Sequence, residues 1–450
     1  MSLPTYPGYK DSGVDWLGTV PEHWDSKRLK FLFDLVKREI REEDRIVTCF
    51  RDGAVTLRDN RRTDGFTNAV KEIGYQGIRV GDLVIHAMDA FAGAIGVSDS
   101  DGKSTPVYSV CTPVSPSVSS NYYARLLRNM AVAGFVSSLA KGIRERSTDF
   151  RWADAGEIFL PVPSETEQRK IVSFLDHETA RIDALIEEQQ RLIELLKEKR
   201  QAVISNAVTK GLDPTVPLKD SGVEWLGEVP EHWEITQIKR RCDLITDGAH
   251  ISPETENGVY CFVSTRDVSD EGIDFEGCLR TSADSYEYLV RTGCQPEVGD
   301  VLFSKDGTIG RTIVVGEGSP EFVVASSLII IRPSREELLP SYLDFLCQSW
   351  VVSQQVDGFV KGAGLPRLSI QNLTKVVGVF PPLEEQVLIA DFLQMQSVTA
   401  RQLTSEALRT MELLKERRSA LISAAVTGKI DVRGWQPSTS VQVPILEEAV

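Results

Sequence analysis

The sequence has no long apolar run, no closely paired cysteines and no basic segment followed by apolar residues at its start. The longest apolar stretch, residues 322–331, contains two serines and is far shorter than the ~20 residues of a membrane-spanning helix. We expect no secretory signal. The seven cysteines are scattered without a CxxC pair, which argues against a disulfide scaffold or a zinc cluster. These features together predict a cytoplasmic protein.

Motifs for catalysis and cofactor binding are also lacking. Gly102–Ser104 ends like a phosphate-binding loop, but Val97 stands where the motif requires its first glycine. His177 is followed by glutamate, without the second histidine of a zinc-protease helix. The sequence contains neither a GxSxG nor a GxGxxG pattern. We therefore expect no catalytic residue, metal site or cofactor on this chain.

The chain lacks an overall positive charge that would attract a nucleic acid. Its formal net charge is -15. This value counts against a DNA-binding protein that acts alone, since such proteins usually carry a basic surface. Net charge is a sum, however, and a polyanion responds to the local field. The acidic total therefore lowers the expectation of DNA binding without excluding it.

What the sequence does have is an internal repeat. Residues 10–24 and residues 219–233 are identical at thirteen of fifteen positions, and residues 195–211 resemble residues 413–429. The chain thus consists of two tandem halves that open and close with the same motifs, whereas the middles of the halves differ. His23 and His232 lie in the repeated EHW, which indicates packing against the adjacent tryptophans rather than catalysis.

The closing segment of each half has the pattern of a long helix. Apolar residues recur at three- and four-residue steps, as a coiled-coil seam requires. One interpretation is that each helix packs only against its own domain. We prefer an intrachain antiparallel coiled coil between the two helices. The predicted seam consists of Leu175, Ile182, Leu185, Leu192, Leu196, Val203, Leu393, Leu403, Ala407, Leu414 and Leu421.

The predicted fold is α/β (α+β), with two tandem mixed α/β domains joined by two long helices and related by a pseudo-two-fold axis. Short strand-like runs between Gly, Asp and Pro turns alternate with helical stretches in both middles. The predicted boundaries are 1–160 for the first domain, 164–210 for the central helix, 211–380 for the second domain, 383–428 for the last helix and 429–450 for a loose tail.

Basic residues cluster in the divergent middles despite the acidic total. Residues 26–71 contain twelve Lys and Arg against eight Asp and Glu, and residues 358–383 contain no acid. Ordinary solvated surface charge is the alternative, but the pattern as a whole favours nucleic acid. The candidate DNA-binding residues are Arg58, Arg61, Arg62, Lys141, Arg144, Arg146, Arg151, His250, Arg311, Lys361 and Arg367.

The repeated SGVxWLGxVPEHW, together with GDVLFSKDGTIGR, KGAGLPRLS and PPLEEQ…LLKERRSALISAAVTGKID, resembles the specificity (S) subunit of Type I restriction–modification enzymes. The resemblance covers essentially the whole chain. It implies two target-recognition domains that each read one half of a split DNA sequence, with a spacer set by two long helices. It adds Lys305 and Ser369 to the candidates. It adds His86 as a looser counterpart in the first half, where the motifs depart from the pattern.

The same resemblance implies that this chain carries no enzymatic chemistry. Double-stranded DNA, two modification subunits that bind S-adenosylmethionine and restriction subunits that use ATP and Mg²⁺ are the implied partners. Two other functions stay open at this stage. One is a coiled-coil scaffold or decoy that binds the methyltransferase without reading DNA. The other is a self-sufficient methyltransferase or nuclease, which would need a cofactor pocket.

Overall fold

The computed structural model describes residues 3–61, 73–139, 150–251, 253–255, 258–360 and 366–437. The chain divides into two compact units. The first unit consists of Met1–Glu188 and Thr410–Val450, and the second consists of Gln189–Arg409. The divisions between the units fall inside the two long helices, so each unit contains one divergent middle and a part of both helices.

The first unit is a mixed α/β domain, as predicted. Its central sheet is antiparallel with the strand order β4-β11-β8-β9, and four two-stranded pairs surround it: β1-β2, β3-β12, β5-β6 and β7-β10. The elements are β1 (Tyr9–Asp11), β2 (Thr19–Pro21), β3 (Asp25–Arg28), β4 (Phe33–Leu35), β5 (Val47–Cys49), β6 (Val55–Leu57), β7 (Gln76–Ile78), β8 (Leu83–His86), β9 (Ile95–Val97), β10 (Gly102–Ser104), β11 (Tyr108–Pro113), α1 (Ser120–Val132), α2 (Phe135–Leu139), α3 (Trp152–Ala155) and β12 (Phe159–Val162).

The second unit repeats this frame. Its central sheet has the order β16-β24-β21-β22, and the pairs β13-β14 and β15-β25 match those of the first unit. In a further sheet, β17 pairs antiparallel with β20 and parallel with β23, much as β5 of the first unit pairs with β6 while the adjacent Ile46 bridges β10 in parallel. The elements are β13 (Leu218–Asp220), β14 (Glu228–Pro230), β15 (Glu234–Gln237), β16 (Cys242–Asp247), β17 (Tyr260–Val263), β18 (Val268–Ser269), β19 (Gly272–Ile273), β20 (Leu279–Thr281), α5 (Ala283–Arg291), β21 (Val301–Ser304), β22 (Thr312–Val314), β23 (Phe322–Val324), β24 (Leu328–Pro333), α6 (Pro340–Gln348), α7 (Trp350–Val360), α8 (Ile370–Leu373) and β25 (Val377–Phe380). The long helices α4 (Glu165–Lys210) and α9 (Leu383–Val426) are divided between the two units.

The helix that follows the central sheet's strands anchors each core. In the first unit, the Ser119 side chain caps α1 by accepting a hydrogen bond from the Tyr122 amide. Tyr122 and Tyr123 are fully buried against Phe33 and the sheet. In the second unit, Tyr342 at the start of α6 occupies the matching place in a core built from strand side chains.

The long helices pair in both units, which confirms the predicted association. In the first unit, Asp183 in the first half of α4 accepts hydrogen bonds of 2.8 and 3.1 Å from Arg418 near the end of α9. In the second unit, Ile204 near the end of α4 shares a core with Leu393 near the start of α9. Because the start of each helix meets the end of the other, the two helices run antiparallel.

The buried stripe on these helices differs from the predicted seam. Leu175, Ile182, Leu393, Ala407 and Leu421 are buried, and Leu196, Val203 and Leu414 are half-buried. Leu185, Leu192 and Leu403, which were placed in the seam by heptad counting, are more than 40% exposed. The assignment of these three to the seam was wrong.

An eleven-residue spacing explains the difference. Ile171, Ile182, Ile193 and Ile204 are all at most 5% exposed and follow each other at eleven-residue steps. Eleven residues make three turns of 3.67 residues, close to the 3.6 of a straight helix, whereas each heptad drifts by about 20°. Residues chosen at heptad spacing therefore move off the buried face of the helix within two or three heptads.

The segment after α9 is packed rather than loose. Ile430 and Val432 are buried in the first core, the Lys429 ammonium donates to Thr19 Oγ1 at 2.9 Å, and the Trp435 ring lies 5.4 Å from that of Phe174. The expectation of a loose tail was therefore wrong for residues 429–437, and residues 438–450 lie outside the described ranges. No helix among the described residues is long and apolar enough to cross a membrane.

Candidate nucleic-acid interface

A duplicated glutamate joins the opening motif of each half to its long helix. Glu167 accepts hydrogen bonds from Trp24 Nε1 and bonds His23 Nε2 at 2.8 Å. Glu385 makes the same two contacts with Trp233 and His232, at 2.9 and 2.5 Å. The two histidines therefore bond to a carboxylate, besides lying next to their tryptophans. This contact ties the opening motif of each half to the first turn of the long helix that closes it.

Burial alone would raise the pKa of the Glu167 carboxyl. The hydrogen bonds from His23, Trp24 and Ser164 outweigh this effect and lower its pKa. Glu167 is therefore held as a carboxylate, which keeps it an acceptor for all of these donors.

The two central sheets have the same strand arrangement, and their inner strands β8 and β21 pair with β11 and β24 in the same register. Gly81-Asp82 and Gly299-Asp300 precede the matching strands β8 and β21, and each aspartate forms an ion pair with an arginine, Arg38 or Arg332. At the other end of the strands, the Phe150 amide donates to Ala87 O and the Leu368 amide donates to Lys305 O. Ala87 is therefore the counterpart of Lys305. His86 matches Ser304, one position away from the counterpart that the sequence suggested.

Lys305 is buried at the end of strand β21. Its side chain is 4% exposed, and its ammonium forms an ion pair with Asp247. The same carboxylate bonds His250 Nε2 at 2.8 Å, and the His250 side chain is 65% exposed. Burial raises the pKa of Asp247, but the bonds from Lys305 and His250 outweigh it and lower the pKa. Lys305 thus positions Asp247, which in turn holds the exposed His250.

Arg367 and Ser369 lie beside this pair. The Arg367 guanidinium donates to Ser326 O at 3.1 Å and to Ser326 Oγ at 3.3 Å, and its Nε lies 3.6 Å from Asp306 Oδ2. Ser369 is exposed and caps α8 by accepting a hydrogen bond from the Asn372 amide. We call residues 247–250, 304–311, 325–327 and 366–369 the second-unit loop cluster. The predicted Lys361 lies outside the described residues.

Arg311 belongs to this cluster through its backbone. The Ser304 amide donates to Arg311 O, but the Arg311 guanidinium reaches away to Val268 O at 2.8 Å. Asp247 and Ser326 were missed from the sequence, although the Asp-Gly turn at residues 247–248 is a signal that marks a loop at a strand end.

In the first unit a cleft of about 670 Å³ opens near Ala87, the counterpart of Lys305. Arg151 lines it and is exposed at the start of α3. The lining also includes Lys37, Gln76, Met88, Tyr108 and Trp152, which the sequence did not single out. Trp152 could have been found, because it directly follows the basic candidate Arg151. Where the second unit has the buried Lys305, the first unit has Ala87 and an open cleft.

The His86 ring is held beside this region by its neighbours. Its Nδ1 accepts a hydrogen bond of 3.0 Å from the Asp89 amide, and its ring packs edge-on against Tyr108 at 4.6 Å. Burial lowers the pKa of His86, which favours the neutral ring. Since Nδ1 accepts, Nε2 carries the hydrogen of that neutral ring.

The remaining first-unit candidates are placed elsewhere or lie outside the description. Arg61 pairs with Asp52 at 2.6 Å and stacks over Phe50, and Arg58 donates to Thr48 Oγ1. Neither lines the cleft. Arg62, Lys141, Arg144 and Arg146 lie outside the described residues. Within the described ranges, no group of three or more His, Cys, Asp or Glu side chains could hold a metal ion.

Comparison with known proteins confirms the family resemblance. Residues 230–407 match the model of the family described as the Type I restriction modification DNA specificity domain. The Type I restriction enzyme MjaVIII specificity subunit of Methanocaldococcus jannaschii is 24% identical over 290 residues, which are 61% of this chain and 63% of that protein. The putative MjaX specificity subunit of the same organism is 27% identical over 180 residues, which are 37% of this chain and 40% of that protein.

The fold also has a solved counterpart. A chain from a study of complex assembly and conformational transition of the type I R-M system matches with a TM-score of 0.69 and 16% identity, covering 91% of this chain and 99% of that one. The match shows that the two chains share a fold. The chain spans less than two thirds of the length of the two curated relatives named above.

Proposed function

We propose that this chain is the DNA sequence-specificity subunit of a Type I restriction–modification complex. Each unit reads one half of a bipartite target, and the two long helices set the number of base pairs between the halves. The chain carries out no chemistry itself in this proposal, since methylation and cleavage belong to partner subunits.

One observation carries the proposal: matching positions on a repeated frame hold unlike side chains. The frame is the same in both units, down to the Gly-Asp turn and the glutamate contact with the EHW motif. The strand ends differ, with Lys305 in one unit and Ala87 in the other. A protein that reads two different short sequences at a fixed distance needs this combination, because base contacts specify and the frame only positions.

The acidic net charge fits a subunit that works within a complex. A bidentate base contact contributes about 1–3 kcal/mol of discrimination, so three or four contacts per unit would supply the ~4–10 kcal/mol typical of specific sites. Partner subunits would then neutralise most of the phosphates. Because the target is DNA, we place this function in the cytoplasm.

The partners in this proposal are two modification subunits and the restriction subunits. The modification subunits would bind S-adenosylmethionine, and the restriction subunits would use ATP and Mg²⁺. Large apolar side chains are exposed along the long helices, among them Leu185, Leu192, Leu388 and Met395. Such side chains suit protein contacts. The repeat would supply one docking surface for each modification subunit.

A scaffold or decoy that binds the methyltransferase without reading DNA is the weaker candidate. Such a protein has no use for the exposed polar side chains of the second-unit loop cluster, which include His250, Arg367 and Ser369. The family match also falls on this unit.

Long-read mapping of modified bases tests the proposal. The chain is expressed with its cognate modification subunit in a host that lacks other methyltransferases. We expect modification at one bipartite sequence with a fixed unread spacer, and none when this chain is omitted. Modification at the same sites without the chain, or at a single continuous site, would contradict the proposal.

A further inference from the structure

A basic cavity in the first unit lies apart from the cleft described above. It has a volume of about 520 Å³ and is formed by the turn at Asp52-Gly53, strand β9, helix α1 and the last part of α9. Four cationic side chains line it: Arg125 and Arg128 from α1, and Lys415 and Arg418 from α9. Asp52 is the one carboxylate in the lining, and it lies 2.6 Å from Arg61.

Arg128 is built into the wall of this cavity by two glycines. Gly53 and Gly93 have φ values of +92° and +90°, which side-chain-bearing residues rarely adopt. A Cβ at Gly53 would lie 2.7 Å from Arg128 Cδ, and a Cβ at Gly93 would lie 3.3 Å from Arg128 Nε. The absence of both Cβ atoms therefore makes room for the arginine.

The Arg128 guanidinium has a hydrogen-bond donor to spare. Its Nη2 donates to Arg51 O at 3.3 Å, and its Nε is buried without a hydrogen-bond partner among the described residues. No carboxylate of the described chain lies within 4.0 Å of it. Burial, and then the nearby Arg418, lower the pKa of Arg128. A bound anion accepts a hydrogen bond from the unpaired Arg128 Nε and also reduces the repulsion between Arg128 and Arg418.

The other three cations already have one acid each outside the lining. Arg125 pairs with Asp176, Arg418 with Asp183, and Lys415 with Glu412. These ion pairs hold the side chains in place at the cavity. Arg128 is thus the one of the four without an ion pair among the described residues, although Asp52 in the lining attracts its charge.

The repeat supplies an internal control, because the second unit carries different residues at the matching place. Tyr122 and Tyr342 donate to the matching carbonyls Val426 O and Val208 O, which aligns α1 with α6 and the end of α9 with the end of α4. By this alignment Gln348 stands for Arg128, Phe345 for Arg125 and Asp344 for Ala124, whereas Lys197 and Arg200 stand for Lys415 and Arg418.

The residues of the second unit contact one another there. Gln348 Nε2 donates to Asp344 Oδ2 at 2.8 Å, and Arg200 Nη2 donates to Gln348 Oε1 at 2.8 Å. Arg200 Nε and Asp344 Oδ1 are buried without a hydrogen-bond partner among the described residues. The second unit therefore replaces two arginines by neutral residues and adds an acid. The excess of cations is a particular property of the first unit.

We propose that the first-unit cavity is a binding site for phosphoryl groups, held by Arg128 together with Arg125, Lys415 and Arg418. A planar guanidinium binds phosphate oxygens through paired hydrogen bonds, and the ammonium adds a point charge. The phosphoryl group comes either from the DNA backbone or from a small phosphorylated ligand. The site recognises charge and not bases, so it goes beyond the sequence recognition proposed above.

Calorimetric titration of the full chain with inorganic pyrophosphate, and with a short duplex of unrelated sequence, tests the proposal. Arg128→Gln installs the residue of the matching second-unit position, so the fold should tolerate it, and thermal melting checks this. We expect Arg128→Gln and Lys415→Gln to weaken pyrophosphate or duplex binding at least tenfold. Lys197→Gln, the matched control, should change neither.

The pyrophosphate titration and the duplex titration together distinguish the two sources of the phosphoryl group. If it is the DNA backbone, Arg128→Gln lowers the slope of log affinity against log salt by about 0.9 for each lost contact. If it is a small ligand, pyrophosphate binding is lost while the salt slope stays the same. The proposal is overturned if Arg128→Gln changes neither measurement, or if Lys197→Gln has an equal effect. The modified DNA sequence should stay the same in every variant, so failure here is separable from failure of the proposed function.

Discussion

The two units share their frame and differ at their loops, and this contrast separates the residues that hold the fold from those to which we assign recognition of a target. Trp24 and Trp233 are buried to the same degree and bond matching glutamates. Ala87 and Lys305 occupy one position of the frame, yet one lines a cleft and the other fills its site with a buried ion pair. Sequence identity within the chain therefore marks the shared frame, and sequence difference marks the loops that carry recognition in the proposed function.

The largest expected effect concerns the shared frame. Trp24→Ala or Trp233→Ala removes a fully buried aromatic side chain and leaves a cavity, so each should lower the free energy of unfolding of its own unit by about 3–5 kcal/mol. Denaturant unfolding of the two variants measures these losses. If the two losses of unfolding free energy agree within about 1 kcal/mol, the frames of the two units are equivalent. If one substitution costs less than 1 kcal/mol, the two frames are not equivalent.

An intermediate effect concerns the loops. Arg367→Ala removes an exposed guanidinium from the second-unit loop cluster, and it should weaken binding to the cognate duplex by about 1–3 kcal/mol if Arg367 contacts a base. Titration of the assembled complex measures the loss. The unfolding free energy should be nearly unchanged.

A matched control comes from the DNA rather than from the protein. Changing only the second half-site should weaken wild-type binding but have little further effect on Arg367→Ala. If the altered half-site weakens binding of the wild type and of Arg367→Ala equally, Arg367 does not contact that half-site.

The smallest effect concerns the duplicated glutamate. The pKa of Glu167 is lowered in the folded chain, so its contribution to stability is present above its ordinary value of 4.5 and is lost as the pH falls through the lowered value. Thermal melting between pH 6 and pH 3 measures this loss. Glu167→Gln should melt at a lower temperature than the wild type at pH 6, and the gap should narrow towards pH 3. A gap that widens on acidification would contradict the assigned role.

Much of the fold could be predicted because the repeat is visible in the letters of the sequence. The same fifteen-residue motif opens both halves, and both long helices end within two residues of the predicted positions. Which residues of those helices are buried was harder to predict from the sequence. Leu185 and Leu192 fit a heptad as well as Ile182 does, and only the eleven-residue spacing of the isoleucines separates the buried face from the exposed one.

The candidate site was predicted less completely, for a physical reason. A lysine in a basic loop reads as exposed, but Lys305 is buried because Asp247, fifty-eight residues earlier, supplies its counter-charge. Partners so distant in the chain leave no local pattern. The same holds for the basic cavity, whose walls come from segments about three hundred residues apart.

In the proposed function, the two unlike units read DNA at a distance that the long helices set. Seven residues inserted into each helix, between Glu188 and Gln189 and between Arg409 and Thr410, leave both units intact and rotate the buried stripe by only about 20°. The insertion adds about 10 Å of helix, or roughly three base pairs at ~3.4 Å each. Long-read mapping of modified bases should show both half-sites unchanged and the spacer lengthened by about three base pairs. Altered half-sites with the original spacer would contradict the account.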